Sequence, residues 1–176
     1  MLYVAAVILF LVIVFFRNKL TASSEVYSRF GIRESTHKLL STDLGKSAAR
    51  IKLSRYGING IADAVFKAVA GREILVGEFK SRKHRGKVKL YEFYQVMLYM
   101  GHLQDKYPDH KIKGCLAYAD AKVSVTFDSE VYEALVSLRG EYWDSVFNRG
   151  AVNTTPLHKR VRVNALNRNI KLSAEL

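Results

Sequence analysis

Cysteine is almost missing from this chain: its 176 residues contain one, Cys115. A disulfide framework, a zinc finger and a cysteine-ligated iron–sulfur cluster each need several thiolates, so none can be assembled within one chain. Cys115 lies in the apolar string Gly114-Cys115-Leu116-Ala117-Tyr118, where a buried structural thiol is expected. Acids are also scarce, 16 against 28 Lys and Arg, which leaves a formal charge of +12. Such a surplus favours nucleic acid or anionic lipid as partner without choosing between them, and it also suits a small basic protein that is merely soluble. The chain is 49% apolar, with ten Tyr and nine Phe, which argues against disorder and for a packed core.

The one long hydrophobic run is Leu2 to Phe16, fifteen residues. A transmembrane helix needs about 17–25, and Met1 with the stem of Arg17 can extend the run. The marks of a cleaved signal peptide are lacking. Side-chain charge follows the run instead of preceding it, and the bulky Phe15-Phe16-Arg17 stands where small residues belong, with Ala22-Ser23-Ser24 a weak cleavage candidate. The expectation is an uncleaved anchor over residues 1–19. Arg17 and Lys19 then place the globular domain on the cytoplasmic side of the inner (cytoplasmic) membrane. In that compartment the sequon Asn153-Thr154-Thr155 has no meaning. The remaining roughly 155 residues suit one domain.

Residues 20–41 read as a linker, and the polar stretch to about Leu53 as loops and short elements. From Asp63 to Val69, Val65, Lys67 and Val69 alternate with Ala64, Phe66 and Ala68, which reads as a strand, although the alanines would also suit a helix. Ala70-Gly71-Arg72 is a turn signal, and Ile74 to Phe79 reads as the returning strand of a hairpin. Lys80 to Lys89 carries six basic residues and no acid and reads as a loop. Leu90, Phe93, Tyr94, Met97, Leu98 and Gly101 recur at helical spacing, with Gln95, Tyr99 and His102 on another face and Pro108 as the stop. Two strands follow, Ile112–Ala119 and Lys122–Phe127. After them comes a helix capped by Asp128 or Ser129, whose stripe runs from Val131 through Ala134, Leu135, Leu138 and Tyr142 to Val146. A basic tail occupies residues 151–176.

Chemistry gathers at Asp63 and at Glu78-Phe79-Lys80. Two carboxylates on adjacent strands can converge on a hard cation such as Mg²⁺, which takes one or two protein carboxylates and keeps its waters, and the Phe79 carbonyl can add an oxygen. Glu78 and Lys80 are two apart, so on a strand they share a face. The Lys80 ammonium can then orient a water and steady developing charge. The same spacing also fits a solvated strand end with a surface ion pair. Gln95 and Tyr99, four apart, share a helical face that can present an amide and a phenol to a phosphate, or can be a polar flank of a buried helix. Arg82, Lys83, Arg85, Lys87 and Lys89 can track a phosphate backbone, rest against anionic lipid, or form a solvated loop.

The string Arg55-Tyr56-Gly57-Ile58-Asn59-Gly60-Ile61-Ala62-Asp63, followed by Gly77-Glu78-Phe79-Lys80-Ser81 and by Gln95 and Tyr99, resembles the PD-(D/E)XK nucleases of the RecB-like branch. The likeness points most closely to the CRISPR-associated RecB-family exonucleases and their stand-alone, membrane-anchored relatives. It covers residues 42–150 and implies an α/β fold: a restriction-endonuclease-like core with a mixed sheet flanked by helices, here preceded by one N-terminal transmembrane helix. It implies Asp63, Glu78 and the Phe79 carbonyl as ligands of Mg²⁺ or Mn²⁺, Lys80 as the catalytic lysine, and Gln95 and Tyr99 as catalytic helpers. The implied activity is a deoxyribonuclease, an exonuclease by its nearest likeness, acting on single-stranded DNA or DNA ends. Two departures stand out. Many relatives carry C-terminal cysteines around an iron–sulfur cluster, and here Val161-Arg162-Val163-Asn164 to Ile170 contains none. The upstream residue that completes the metal site is not fixed either; His37 and Asp43 are candidates, with Asp43 preferred. The residues leave open DNA against RNA, and also a catalytically inactive membrane-tethered module that binds DNA or anionic lipid.

Overall fold

A computed structural model describes residues 24–44 and 51–174. The expected anchor over residues 1–19 lies outside them; among the described residues no helix is long and apolar enough to cross a membrane. The architecture is mixed α/β, with a mixed sheet flanked by helices.

Residues 24–30 are helical (α1). Strand β1 (His37–Thr42) follows, then the hairpin β2 (Lys52–Arg55) and β3 (Ile58–Ile61). Strands β4 (Ala64–Ala68) and β5 (Glu73–Lys80) form the expected hairpin, its turn holding Gly71 at φ 87°, a conformation that glycine adopts without steric cost. After β6 (Val88–Lys89) come helix α2 (Leu90–Lys106) and strands β7 (Lys111–Tyr118) and β8 (Lys122–Thr126). The chain continues through α3 (Ser129–Ser137), α4 (Arg139–Phe147), α5 (Leu157–Arg160), a 3₁₀ turn at Ala165–Asn167 and β9 (Leu172–Ser173).

The main sheet runs β1-β4-β5-β7-β8. Only β5 and β7 are parallel, joined by α2 as a parallel pair requires, and the other neighbours are antiparallel. Period-two alternation divides its residues between two layers. Val65, Ile74, Val76, Ile112, Leu116 and Val125 pack with α2 through Phe93, Val96, Met97, Met100 and Leu103. Ala64, Phe66, Cys115 and Ala117 pack on the opposite side with Val26, Tyr27 and Phe30 of α1. The layers press close. A Cβ on Gly114 would meet Val96 at 2.6 Å, and one on Gly77 would meet the Phe30 ring at 2.4 Å. Glu78 and Lys80 continue the Ile74–Val76 series, so they emerge beneath α2.

Four expectations need correction. Residues 24–41, read as a linker, hold α1 and most of β1; three apolar side chains of α1 bury against the sheet and β1 pairs with β4. The segment Lys80–Lys89, read as loop, is strand at both ends, because Lys80 closes β5 and Lys89 lies in β6. The single helix expected from Val131 to Val146 breaks at Leu138. Val131, Tyr132 and Leu135 are buried, but Tyr142 and Val146 are exposed, so the second half follows a different course. Residues 151–174 fold back rather than trail away. Val161 is buried, Asn167 exchanges hydrogen bonds with the Thr126 backbone of β8, and β9 pairs with β6.

Candidate active site

Asp63 occupies the step between β3 and β4. Its carbonyl accepts from Thr42 Oγ1 at 2.7 Å and from the Asp43 amide at 2.9 Å, which pins it to the end of β1. Its carboxylate Oδ2 accepts from the Phe79 amide at 2.6 Å. Pairing of β4 with β5 ends at Ala64 opposite Gly77. The Phe79 amide is the next one on that edge, and a side chain takes the place of a strand partner. The N–H and C=O of one strand residue leave by the same edge, so the Phe79 carbonyl faces the same gap.

Lys80 Nζ donates to Glu78 Oε1 at 3.0 Å and to Gln95 Oε1 at 3.1 Å. Lysine only donates, so the oxygen of Gln95 must face it, and Gln95 Nε2 then donates to the Tyr99 hydroxyl at 3.0 Å. The five residues thus form a contiguous arrangement between the sheet and the N-terminal half of α2. Glu78 is 6% exposed, and its Oε2 accepts no hydrogen bond among the described residues. Burial raises the Glu78 carboxyl above its ordinary value of 4.5, the nearby Asp63 charge adds to this, and Lys80 opposes it. Burial likewise raises Asp63, opposed first by the Phe79 amide and then by Lys80, while Asp43 pushes it further up. Tyr99 is raised by burial, so its hydroxyl keeps its proton and, while accepting from Gln95, can donate onward.

The two upstream candidates separate. Asp43 follows directly on β1 beside Asp63, close enough for its charge to be felt there. His37 pairs with Ala68 at the opposite end of β1, with Nδ1 2.9 Å from Thr36 Oγ1. The basic segment divides as well. Arg82 binds the buried carboxylate of Glu92 at 2.6 Å and lies over the Tyr118 ring. Lys83, Arg85 and Lys87 are exposed; Lys89 is half-buried above the Tyr91 ring.

Several participants had no role assigned from the sequence. Glu92, 1% exposed, accepts from Arg82 and from the Tyr118 hydroxyl at 2.7 Å, fixing the segment that leaves Lys80. Gly60 lets β3 lie against Tyr99: a Cβ there would sit 2.3 Å from Tyr99 Cε1. His102, expected on one face with Gln95 and Tyr99, is buried and turned to the hairpin. Its Nε2 lies 3.1 Å from the Ile58 carbonyl, which can only accept, so Nε2 carries the hydrogen. A glutamate in the first turn of a helix and a glycine inside a short strand are both common, so no local signal marked Glu92 or gave Gly60 its task.

Among the described residues no group of three or more His, Cys, Asp or Glu is disposed to hold a metal ion. Magnesium needs fewer: one or two carboxylates suffice when water and substrate oxygens complete the shell. The donor set fits that requirement. Two mutually repelling carboxylates, a buried Glu78 oxygen without a hydrogen bond among the described residues, and a strand carbonyl face one region.

No protein-family model matches the sequence. No curated protein matches it either. Among solved structures, the protein described as "Crystal structure of SSO0001" is similar at a TM-score of 0.37 and 18% identity, over 78% of this chain. The chain spans 60% of that protein's length.

Proposed function

We propose that this chain is a membrane-anchored nuclease of the PD-(D/E)XK superfamily, RecB-like branch, that uses Mg²⁺ or Mn²⁺ to hydrolyse DNA phosphodiester bonds. The observation that carries the reading is Lys80 Nζ, held at once by Glu78 at 3.0 Å and Gln95 at 3.1 Å, on the sheet face next to the clamped Asp63 carboxylate. A solvated surface pair would not explain a glutamate 6% exposed with a half-buried lysine.

Asp63, Glu78 and the Phe79 carbonyl would hold the cation, which when bound supplies Lewis acidity and a more acidic water. Lys80 directs a hydrogen bond at the attacking water and places positive charge beside the phosphoryl oxygens. Gln95 fixes the direction of the lysine, and the Tyr99 hydroxyl donates toward the phosphate. The water oxygen bonds to phosphorus as the water gives up a proton to solvent, the bond from phosphorus to the leaving sugar oxygen breaks, and a solvent water returns a proton to that oxygen. Lys83, Arg85 and Lys87 supply sequence-independent attraction for the backbone. In this reading residues 1–19 tether the domain to the cytoplasmic face of the inner membrane, and exonucleolytic action on DNA ends follows the resemblance.

The experiment is cleavage of single- and double-stranded DNA by the full chain with Mg²⁺, Mn²⁺ or EDTA. Metal-dependent products that disappear in Lys80→Ala are expected. Equal background cleavage by wild type and variant would leave an inactive binding module, recognised by DNA binding that survives EDTA and is indifferent to Asp63→Ala.

A further inference from the structure

Helix α4 carries three exposed aromatic rings on one patch. Tyr142, Trp143 and Phe147 are 61%, 41% and 78% exposed. They form a ladder, with Tyr142 and Trp143 centroids 5.3 Å apart and Trp143 and Phe147 6.2 Å apart. Clusters of this kind on a surface mark a binding face. Tyr142 and Trp143 also line one wall of a depression of about 470 Å³, whose other wall is Gly57 of the β2–β3 turn with Ile58 and Asn59 at the start of β3. Arg139 lies in it, its guanidinium within 3 Å of where a Cβ on Gly57 would stand.

This depression does not end blindly. It shares Ile58, Asn59, Leu98 and Leu135 with a second one that reaches Gly60, Gln95 and Tyr99. The two depressions adjoin and together form a trough that extends from Gln95 and Tyr99 to the ladder on α4. The lining combines flat rings and apolar side chains with one cation, Arg139, and the Asn59 and Gln95 amides. That combination suits an unpaired nucleic-acid strand, whose bases stack on rings and whose phosphates meet arginine, and not a duplex with its bases enclosed. An anionic membrane is favoured less. The depressions extend inward to Gln95 and Tyr99 rather than lying as a flat apolar face.

We propose that the trough is a stacking track for the unpaired strand of the substrate, with bases on Tyr142 and Trp143 and a phosphate on Arg139. The direction of the strand rests on the nuclease reading; binding in the track does not.

Trp143 is the sole tryptophan of the sequence, so its fluorescence reports on the track alone. The full chain in non-ionic detergent with EDTA is titrated with an oligothymidylate of about fifteen nucleotides, then with a blunt duplex of equal length. Saturable quenching by the single strand, weakened by salt and much smaller with duplex, is expected. Tyr142→Ala should raise the midpoint about five-fold or more, while Tyr142→Phe keeps it near wild type. Both substitutions fall on an exposed side chain, and circular dichroism checks that the fold persists. No quenching by the single strand, or a midpoint unmoved in Tyr142→Ala, overturns the track. So does a response confined to phosphatidylglycerol vesicles, seen as a blue shift of Trp143. Quenching without Mg²⁺-dependent cleavage would sink the nuclease reading and leave the track; cleavage of single strands with Trp143 unaffected would do the reverse.

Discussion

Gly60→Ala tests the site through a residue with no chemistry of its own. Gly60 does not use the left-handed backbone region, so alanine meets no conformational penalty there. The obstacle is Tyr99: the new methyl would lie 2.3 Å from Cε1 and 3.1 Å from the hydroxyl oxygen. Carbon atoms rest about 3.5 Å apart or more, so the ring must retreat by about 1.2 Å or β3 must move. A retreat of that size breaks the 3.0 Å bond to Gln95 Nε2 and loosens the amide that directs Lys80. Overpacking of this kind costs about 1–3 kcal/mol, and a displacement of about 1 Å at a catalytic group can cost about 100-fold in rate. Thermal melting and kcat/KM for DNA cleavage in Mg²⁺ are measured for Gly60→Ala, Tyr99→Ala and the double variant. Gly60→Ala alone should lose stability and rate by these amounts. In the Tyr99→Ala background the ring is gone, and adding Gly60→Ala should cost less than about 0.5 kcal/mol and little further rate. Additive losses would refute the reasoning, because the damage would then not pass through Tyr99.

Glu78→Gln should abolish cleavage yet raise the melting temperature of the metal-free protein at neutral pH. Burial and Asp63 raise the native Glu78 above 4.5, so the native state holds this proton more tightly than the unfolded chain, and the group's contribution to stability falls as pH rises from 4.5 through the raised value. The gain in Glu78→Gln should shrink as pH is lowered through that window. His102 works in the opposite sense. Burial lowers it from 6.5, so the stability it contributes is present above 6.5 and is lost as pH falls through its lowered value; the slope should vanish in His102→Gln. Arg82→Ala leaves the buried Glu92 without its cation and should cost about 2 kcal/mol in urea unfolding, the buried-pair penalty being discounted because Arg82 is itself 35% exposed. Neutralising Lys83, Arg85 and Lys87 should leave stability unchanged and flatten the salt dependence of single-strand binding, by about 0.7 in log–log slope for each phosphate no longer neutralised.

The strongly periodic elements were legible because short-range rules decide them. Helix α2 satisfied one period and one stop signal, the β4–β5 hairpin was marked by its Ala70-Gly71-Arg72 turn, and both formed within a residue or two of the expected bounds. Asp128 capped α3 as its side chain allows, accepting from the Glu130 and Val131 amides. The segments that were misread are those whose structure depends on distant partners. Val26, Tyr27 and Phe30 do not by themselves distinguish a helix from a polar linker until a sheet face holding Phe66 and Gly77 is there to receive them. The stripe from Val131 to Val146 is continuous in sequence, yet only its first half meets α2.

The candidate site divides the same way, between groups that carry chemistry and groups that position them. Asp63, Glu78, Lys80, Gln95 and Tyr99 could be named because strand and helix spacing puts them on shared faces and the motif resemblance singles them out from other polar residues so placed. What holds them could not be named. Asp63 is fixed by a threonine hydroxyl 21 residues earlier and by an amide 16 residues later, contacts that exist only once β1, β4 and β5 are side by side. Lys80 is aimed by α2, and α2 in turn is kept near it by the Arg82–Glu92 pair and by a glycine on β3. The sheet sets apart the two upstream candidates, Asp43 and His37, that spacing leaves together. Asp43 and His37 are six positions apart, which along β1 is the length of the strand, so one lies beside Asp63 and the other beside Ala68. A third carboxylate near Asp63 adds repulsion that a bound cation would relieve, so Asp43→Asn should weaken Mn²⁺ binding measured by calorimetry while His37→Gln leaves it unchanged; equal loss from both would contradict this assignment.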